Sequence, residues 1–150
     1  MRVLLAIDDA DCSEAAVQAV IDRFPRGATE VLLVHVLDWP KGLSPSLAFS
    51  EGPRAADHVL SVHDELRRRG QALIDRARQR LEAAHVRVRG ELHEGDPSHV
   101  ILACAEDWRP DVIVVGSHGR RGLERLLIGS VAEAVVKGAP CSVDVVRARV

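Results

Sequence analysis

The stretch VLLAIDDADCSEAAV, residues 3–17, joins a short apolar run to three aspartates and then to an amphipathic pattern. Short runs rich in valine and leucine are typical of parallel strands that are buried on both faces. After the acidic residues, apolar side chains recur at helical spacing, and Asp11 and Glu14 have the spacing of a capping box. The stretch therefore predicts a buried strand over 2–7 that leads directly into a helix.

The rest of the chain repeats this alternation of strand and helix patterns. Further strands are predicted over residues 30–38, 86–95, 111–116 and 141–148, further helices near 57–84, 97–108 and 130–137, and a long loop over 39–56. Asp96 followed by Pro97 is expected to cap the third helix. Alternating strands and helices favour a parallel sheet with right-handed crossovers. The predicted fold is α/β, a single domain over 1–150 with an open five-stranded parallel sheet and helices on both faces.

Composition and charge narrow the class of protein. Of the 150 residues, 47% are hydrophobic and 28% charged, and a net charge of −2 gives no reason to expect nucleic acid or an anionic membrane as a partner. The three cysteines are odd in number and lack CxxC spacing, which suits a reducing compartment. No apolar run reaches the roughly 18 residues of a membrane span, and the first run is too short for a signal peptide. We expect a cytoplasmic protein.

Acidic residues and glycines fall where the strands of this predicted sheet end. Ligands of open parallel sheets bind beyond the carboxyl ends of the strands, at the point where the strand order reverses. Asp8 follows the first predicted strand, and Gly116 ends the fourth. We therefore expect a ligand site at these two strand ends.

The segment VVGSHGRRGLERLLIGSVAEAVV, residues 114–136, places four glycines in one strand-to-helix connection. The spacing G-x2-G-x9-G-[ST] is formed by Gly116, Gly119, Gly129 and Ser130. Glycines allow backbone N–H groups to approach an anion, and a helix N-terminus adds unpaired donors. Turn chemistry is the alternative, in which Ser130 and Glu133 form a capping box. The segment has neither the GxxxxGK[ST] nor the GxGxxG pattern, so its spacing alone leaves both interpretations open.

Together these motifs resemble the universal stress protein family. The loop that begins GSHG and ends GSV is similar to the nucleotide-binding signature of that family, and LLVHVLD and VKGAPCSVDVVR resemble its second and last strands. The likeness extends over nearly the whole chain. It implies a Rossmann-like fold of the adenine nucleotide alpha hydrolase type that binds ATP, or ADP or AMP, with Mg²⁺. It further implies a nucleotide-dependent regulatory role in stress response, with at most slow ATP hydrolysis.

The resemblance also assigns residues to the nucleotide. Asp8 is expected to accept a hydrogen bond from a ribose hydroxyl, Val36 to pack on the adenine, and the glycine loop to hold the phosphates. The complete implied site is Ala6, Ile7, Asp8, Val36, Val115, Gly116, Ser117, His118, Gly119, Gly129, Ser130 and Val131. No catalytic residue is implied, and the additional carboxylate of Asp9 is a candidate ligand for Mg²⁺.

The last strand, residues 141–148, is implied to form the edge through which two copies make a homodimer. Asp144 lies within this strand, and a charge on an edge strand is a known guard against unwanted pairing. The resemblance implies a further protein partner without indicating which one.

Other classes of protein fit the residues less well. A receiver-like signalling domain would use Asp8 and Asp9, but it needs a phosphoacceptor aspartate after the third strand and a lysine after the fifth, and neither is present. A metal enzyme is not expected, because His93 and His99 lack an accompanying cluster of ligands and Cys104 is interpreted as a buried structural thiol. An interaction module with this fold and no nucleotide remains the main alternative.

Overall fold

The computed structural model describes residues 1–8, 11–38, 50, 52–117 and 128–147. Its regular elements are β1 (Arg2–Ile7), α1 (Asp11–Arg23), β2 (Glu30–Leu37), α2 (Pro53–Ala83), β3 (Arg87–Glu94), α3 (Pro97–Trp108), β4 (Val112–Gly116), α4 (Ser130–Gly138) and β5 (Ser142–Val146). The alternation of strands and helices predicted from the sequence is confirmed.

The five strands form one parallel sheet in the order β3-β2-β1-β4-β5. The chain moves outward from β1 to β3, then crosses back so that β4 pairs with the other side of β1. The strand order therefore reverses between β1 and β4, as predicted. In this register Ala6 of β1 lies opposite Val34 of β2 and Val115 of β4.

Helices cover both faces of the sheet, so two cores form. Leu5 of β1 and Ile74 of α2 belong to the core under α1 and α2, while Leu4 of β1 and Ile101 of α3 belong to the core under α3 and α4. Successive strand residues point to opposite faces, and both faces are buried here. This explains why the central strands are continuous apolar runs rather than alternating ones.

Helix α2 begins earlier than the sequence pattern indicates. Its apolar periodicity starts only around Ala56, yet the helix begins at Pro53, directly after Gly52 with a φ of 109°. Proline is favoured in the first helical turn because its φ is already helical and its missing N–H is not needed there. None of the helices in the described ranges is both long and apolar enough to cross a bilayer.

The expected cap of α3 is confirmed. Asp96 precedes the helix, and its Oδ1 accepts a hydrogen bond from the backbone N–H of His99 at 3.0 Å. Ser98 Oγ donates to the same oxygen at 2.5 Å. These hydrogen bonds, that from Ser98 first, hold the pKa of Asp96 below its usual value.

The capping box of Ser130 and Glu133 is not formed. Helix α4 is capped by Gly129 without a side-chain hydrogen bond, so Ser130 is its first helical residue, and the Glu133 carboxylate instead accepts from Lys137 at 2.6 Å. Helix α1 already includes Asp11, and the Glu14 carboxylate forms an ion pair with Arg80 of α2.

Candidate functional site

Helix α1 packs directly against the carboxyl end of β4. A Cβ atom placed on Gly116 would lie 2.8 Å from the Cβ of Cys12 and 3.3 Å from its backbone carbonyl carbon. Both distances are shorter than an ordinary contact, so only glycine allows this approach. Gly116 therefore brings the first turn of α1 to the point where the strand order reverses.

Asp8, at the end of β1, is oriented by a serine in the first turn of α1. The Ser13 hydroxyl donates to Asp8 Oδ1 at 2.6 Å and accepts from the Asp8 backbone N–H at 2.7 Å. Ser13 is buried and Asp8 half-buried. Sequence reasoning missed Ser13, although a serine in the helical turn that follows an acidic strand end was a usable signal.

The two ends of the glycine loop are held together by the backbone. The N–H of Gly129 donates to the carbonyl of Ser117 at 2.6 Å, and the N–H of Ser117 donates to the carbonyl of Val146 at 2.7 Å. Ser117 is 1% exposed. The loop thus leaves β4 and returns to the same place, which puts the N-terminus of α4 beside the ends of β4 and β5.

The N-terminus of α4 presents polar groups to solvent. Ser130 is exposed, and within the part of the chain that the structure describes its hydroxyl has no hydrogen-bond partner. Val131 is half-buried against the core under α3 and α4. Glu133 lies in the first turn of the same helix. The hydrogen bond from Lys137 lowers the pKa of its carboxyl group.

Three of the apolar residues implied for the site share one face of the sheet. Ala6, Val36 and Val115 all belong to the core under α3 and α4, and Ala6 and Val115 are direct register partners. The side chain of Ile7 instead belongs to the core on the opposite face of the sheet. Only the backbone of Ile7 is therefore available to a ligand that contacts Ala6 and Val115. Its carbonyl accepts a hydrogen bond from Nδ1 of the buried His35 at 2.8 Å, a contact that sequence reasoning missed.

Several residues implied for the site lie outside the described residues. These are Asp9, His118 and Gly119. The arginines of the glycine loop and most of the predicted loop over 39–56 lie outside them as well.

A separate cluster lies between β3 and α3. His93 Nε2 is 2.9 Å from Glu91 Oε2 and 3.8 Å from Cys104 Sγ. Burial, together with the carboxylates of Glu91 and Asp107, raises the pKa of the Cys104 thiol. The expectation that His93 lacks a cluster of possible ligands is therefore wrong. Alternation along β3 puts residues 91 and 93 on one face, and α3 brings a cysteine over them, which no short-range spacing reveals.

Comparison with known proteins agrees with this fold. The sequence model of the Universal stress protein family matches residues 1–147. Universal stress protein MJ0531 of Methanocaldococcus jannaschii is 32% identical over 146 residues, covering 97% of this chain and 81% of the relative. A universal stress protein of Methanothermobacter thermautotrophicus is 38% identical over 149 residues, covering 97% of this chain and 95% of the relative.

Solved structures show the same fold. Protein MJ0577 superimposes with a TM-score of 0.82 at 27% identity, covering 99% of this chain and 96% of that one. A family protein from Arabidopsis thaliana with AMP bound gives 0.67 at 21% identity, covering 99% and 92%. A universal stress protein in complex with cAMP gives 0.62 at 18% identity, covering 98% and 96%. Since the family match spans residues 1–147 and two relatives exceed 30% identity over nearly the whole chain, the protein belongs to the universal stress protein family.

Proposed function

We propose that this protein binds an adenine nucleotide, ATP with Mg²⁺, in the crevice between the carboxyl ends of β1 and β4, and that it acts as a nucleotide-dependent regulator in stress response. The observation that carries this proposal is the hydrogen bond from Gly129 N–H to the Ser117 carbonyl. It holds the N-terminus of α4 beside the end of β4, one of the two strands that border the reversal point, and ligands of such sheets bind at that point.

The phosphate half of the proposed site is the N-terminus of α4. The first N–H groups of a helix have no partner within the helix and carry a partial positive charge, so they attract anions. Gly129 caps α4 without a side-chain hydrogen bond, and the exposed hydroxyl of Ser130 stands in the first helical position. In the proposal, Gly129, Ser130 and Val131 hold phosphate together with His118 and Gly119.

The nucleoside half of the proposed site is the end of β1 and its neighbours. Ser13 orients the Asp8 carboxylate, which would accept from a ribose hydroxyl. Ala6, Val36 and Val115 lie on a common apolar face suited to an adenine ring. Ile7 and Gly116 contribute backbone groups at the two strand ends, Ser117 supports the phosphate loop by accepting the hydrogen bond from Gly129, and Asp9 is the proposed ligand of Mg²⁺.

Two proteins of the same fold support an adenine nucleotide as the ligand. One relative has AMP bound, and another is in complex with cAMP. The proposal assigns regulation, with at most slow hydrolysis of ATP. The proposed readout is a change in a protein partner or in a homodimer formed through β5.

The first experiment is a calorimetric titration of nucleotide-stripped protein with ATP and Mg²⁺. We expect one site per chain with a dissociation constant in the micromolar range or tighter, about −8 kcal/mol or better. Gly129→Ala adds a Cβ where the backbone would approach phosphate, at a φ of −62° that alanine adopts without strain. We expect it to weaken ATP binding at least about tenfold, and to lower the free energy of unfolding by no more than about 1 kcal/mol because alanine is a poorer N-cap than glycine.

Two results would contradict the proposal. Unchanged affinity in folded Gly129→Ala would remove α4 from the phosphate site. No heat at several temperatures, together with no thermal stabilisation by ATP, would leave an interaction module of this fold that does not bind nucleotide.

A further inference from the structure

In the cluster between β3 and α3, two side chains contact the same atom of the third. Glu91 Oε2 and Cys104 Sγ both approach Nε2 of His93, and one donor atom from each of the three residues lies within 4.8 Å of the other two. All three residues are half-buried. Strand β3 is at the far edge of the sheet, separated by β2 from the crevice between β1 and β4.

This arrangement is unsuited to a cysteine nucleophile. In a cysteine–histidine–carboxylate triad, the thiol and the carboxylate bind opposite nitrogens of the imidazole ring. Here both face the same nitrogen. A catalytic cysteine also needs a lowered pKa, whereas burial and nearby carboxylates raise that of Cys104.

The same arrangement of three donor atoms suits a metal ion, which would bind between them in place of their hydrogen-bonding protons. With zinc–nitrogen and zinc–sulfur bonds of about 2.0 and 2.3 Å, a tetrahedral site separates nitrogen and sulfur by about 3.5 Å, close to the 3.8 Å between His93 Nε2 and Cys104 Sγ. The carboxylate oxygen lies 2.9 Å from the same nitrogen, against about 3.3 Å for two ligands of one ion. Side-chain adjustments of a few tenths of an ångström are sufficient for that pair.

The surroundings provide both support and access. Arg89 Nε lies 3.2 Å from Glu91 Oε1 and so orients the carboxylate while Oε2 faces His93. An open pocket of about 300 Å³ adjoins the cluster and is lined in part by Asp107 and Trp108. It leaves room for water as a fourth ligand. Groups that hydrogen-bond to the metal ligands and orient them, as Arg89 does for Glu91, are a regular feature of metal sites.

We propose that Glu91, His93 and Cys104 form a binding site for a divalent transition-metal ion of the zinc class. A thiolate, an imidazole and a carboxylate together favour zinc over the harder ions magnesium and calcium, which prefer oxygen ligands. A bound ion would join the edge strand β3 to α3. Because the unfolded chain lacks the assembled site, metal binding stabilises the folded protein.

The test uses the full chain without an affinity tag, freed of metal and kept reduced, and titrated with Co²⁺ and then Zn²⁺. We expect a near-ultraviolet absorption band of a cobalt–thiolate bond at one ion per chain, its loss when Zn²⁺ displaces Co²⁺, and a rise in the unfolding midpoint with Zn²⁺. Cys104→Ser should abolish the band, and His93→Gln should weaken Zn²⁺ binding at least about tenfold.

Matched variants separate this site from other cysteines and histidines. Cys141→Ser removes another half-buried thiol, and His99→Gln removes an exposed histidine of the same helix α3. Neither should change the band or the affinity for Zn²⁺. If Cys104→Ser does not fold, Glu91→Gln is the second variant, and it should weaken Zn²⁺ binding while the thiolate band remains.

Two outcomes would overturn the proposed metal site. They are absence of the band in the wild type, or its persistence in folded Cys104→Ser. His93 is the register partner of Val36, so ATP titration of each variant is included. ATP binding of folded Cys104→Ser should equal that of the wild type, which separates failure of the metal site from failure of the proposed nucleotide site.

Discussion

At the scale of single residues, the close approach of α1 to β4 depends on Gly116. A methyl group there meets both the side chain and the backbone of Cys12, and the backbone cannot move without displacing the helix. Overpacking of this kind costs about 1–3 kcal/mol. We expect Gly116→Ala to lower the free energy of unfolding by that amount, as measured by urea denaturation, and to weaken ATP binding because it displaces the first turn of α1.

A double-mutant cycle checks the cause. Cys12→Gly removes the nearest of the clashing atoms, so Gly116→Ala should cost less in that background than alone. Equal costs in the two backgrounds would show that the effect of Gly116→Ala does not arise from the side chain of Cys12.

Ser13 and His35 show how single polar residues hold the end of β1. Ser13 binds both the backbone and the carboxylate of Asp8, and His35 donates to the carbonyl of Ile7. Both side chains are buried. Buried polar groups are retained where their hydrogen bonds are satisfied, and here these bonds fix the backbone beside the proposed ribose.

At the scale of elements, helix α3 depends on its cap. Asp96→Ala removes the acceptor for the His99 N–H, so we expect a loss of about 1 kcal/mol in the free energy of unfolding at pH 7. Asp96→Asn retains a capping oxygen and should cost less. Urea denaturation of the three proteins measures both differences.

The cap also predicts a dependence on pH. Hydrogen bonds from Ser98 and from the His99 backbone lower the pKa of Asp96 below its ordinary value of 3.8, and the His99 side chain in the first turn of α3 adds a smaller lowering effect. A lowered pKa in the folded state adds stability that is present above pH 3.8 and is lost as the pH falls through the folded value. The advantage of the wild type over Asp96→Asn should therefore shrink below pH 4. An advantage of the same size at pH 7 and pH 2.5 would contradict this.

At the scale of the whole molecule, the edge strand β5 is the proposed dimer contact. Asp144 of this strand is not an isolated edge charge, because Arg23 of α1 forms an ion pair with it at 2.6 Å. The neutralised charge leaves β5 suited to pair with a second copy, whereas an uncompensated one would oppose pairing.

Sedimentation equilibrium tests this proposal. We expect the wild type to have twice the mass of one chain. Arg23→Ala should weaken the dimer by about two- to fivefold, the range of an exposed ion pair. Arg26→Ala removes an exposed arginine of the loop after α1 and should leave the dimer unchanged. A wild type that remains monomeric at high concentration would remove β5 from the proposal.

The sequence by itself determined the type and order of the elements. Apolar runs such as VLLAI in β1 and VIVV in β4 indicate strands that are buried on both faces, and their alternation with helices indicates a parallel sheet with a crevice at the reversal point. The cap at Asp96 was also predicted, because the group it binds is only three residues away. These features depend on neighbours in the chain, so a linear pattern is sufficient to reveal them.

Only the tertiary structure decided which distant groups meet. The contact of Gly116 with Cys12, the ion pair of Arg23 with Asp144 and the cluster of Glu91, His93 and Cys104 each join residues of different elements. The hydrogen bond from the Gly129 N–H to the Ser117 carbonyl belongs with them, since it joins the N-terminus of α4 to the end of β4. Packing across the sheet places these groups to within a few ångströms, and the spacing of residues along the chain carries no record of that distance.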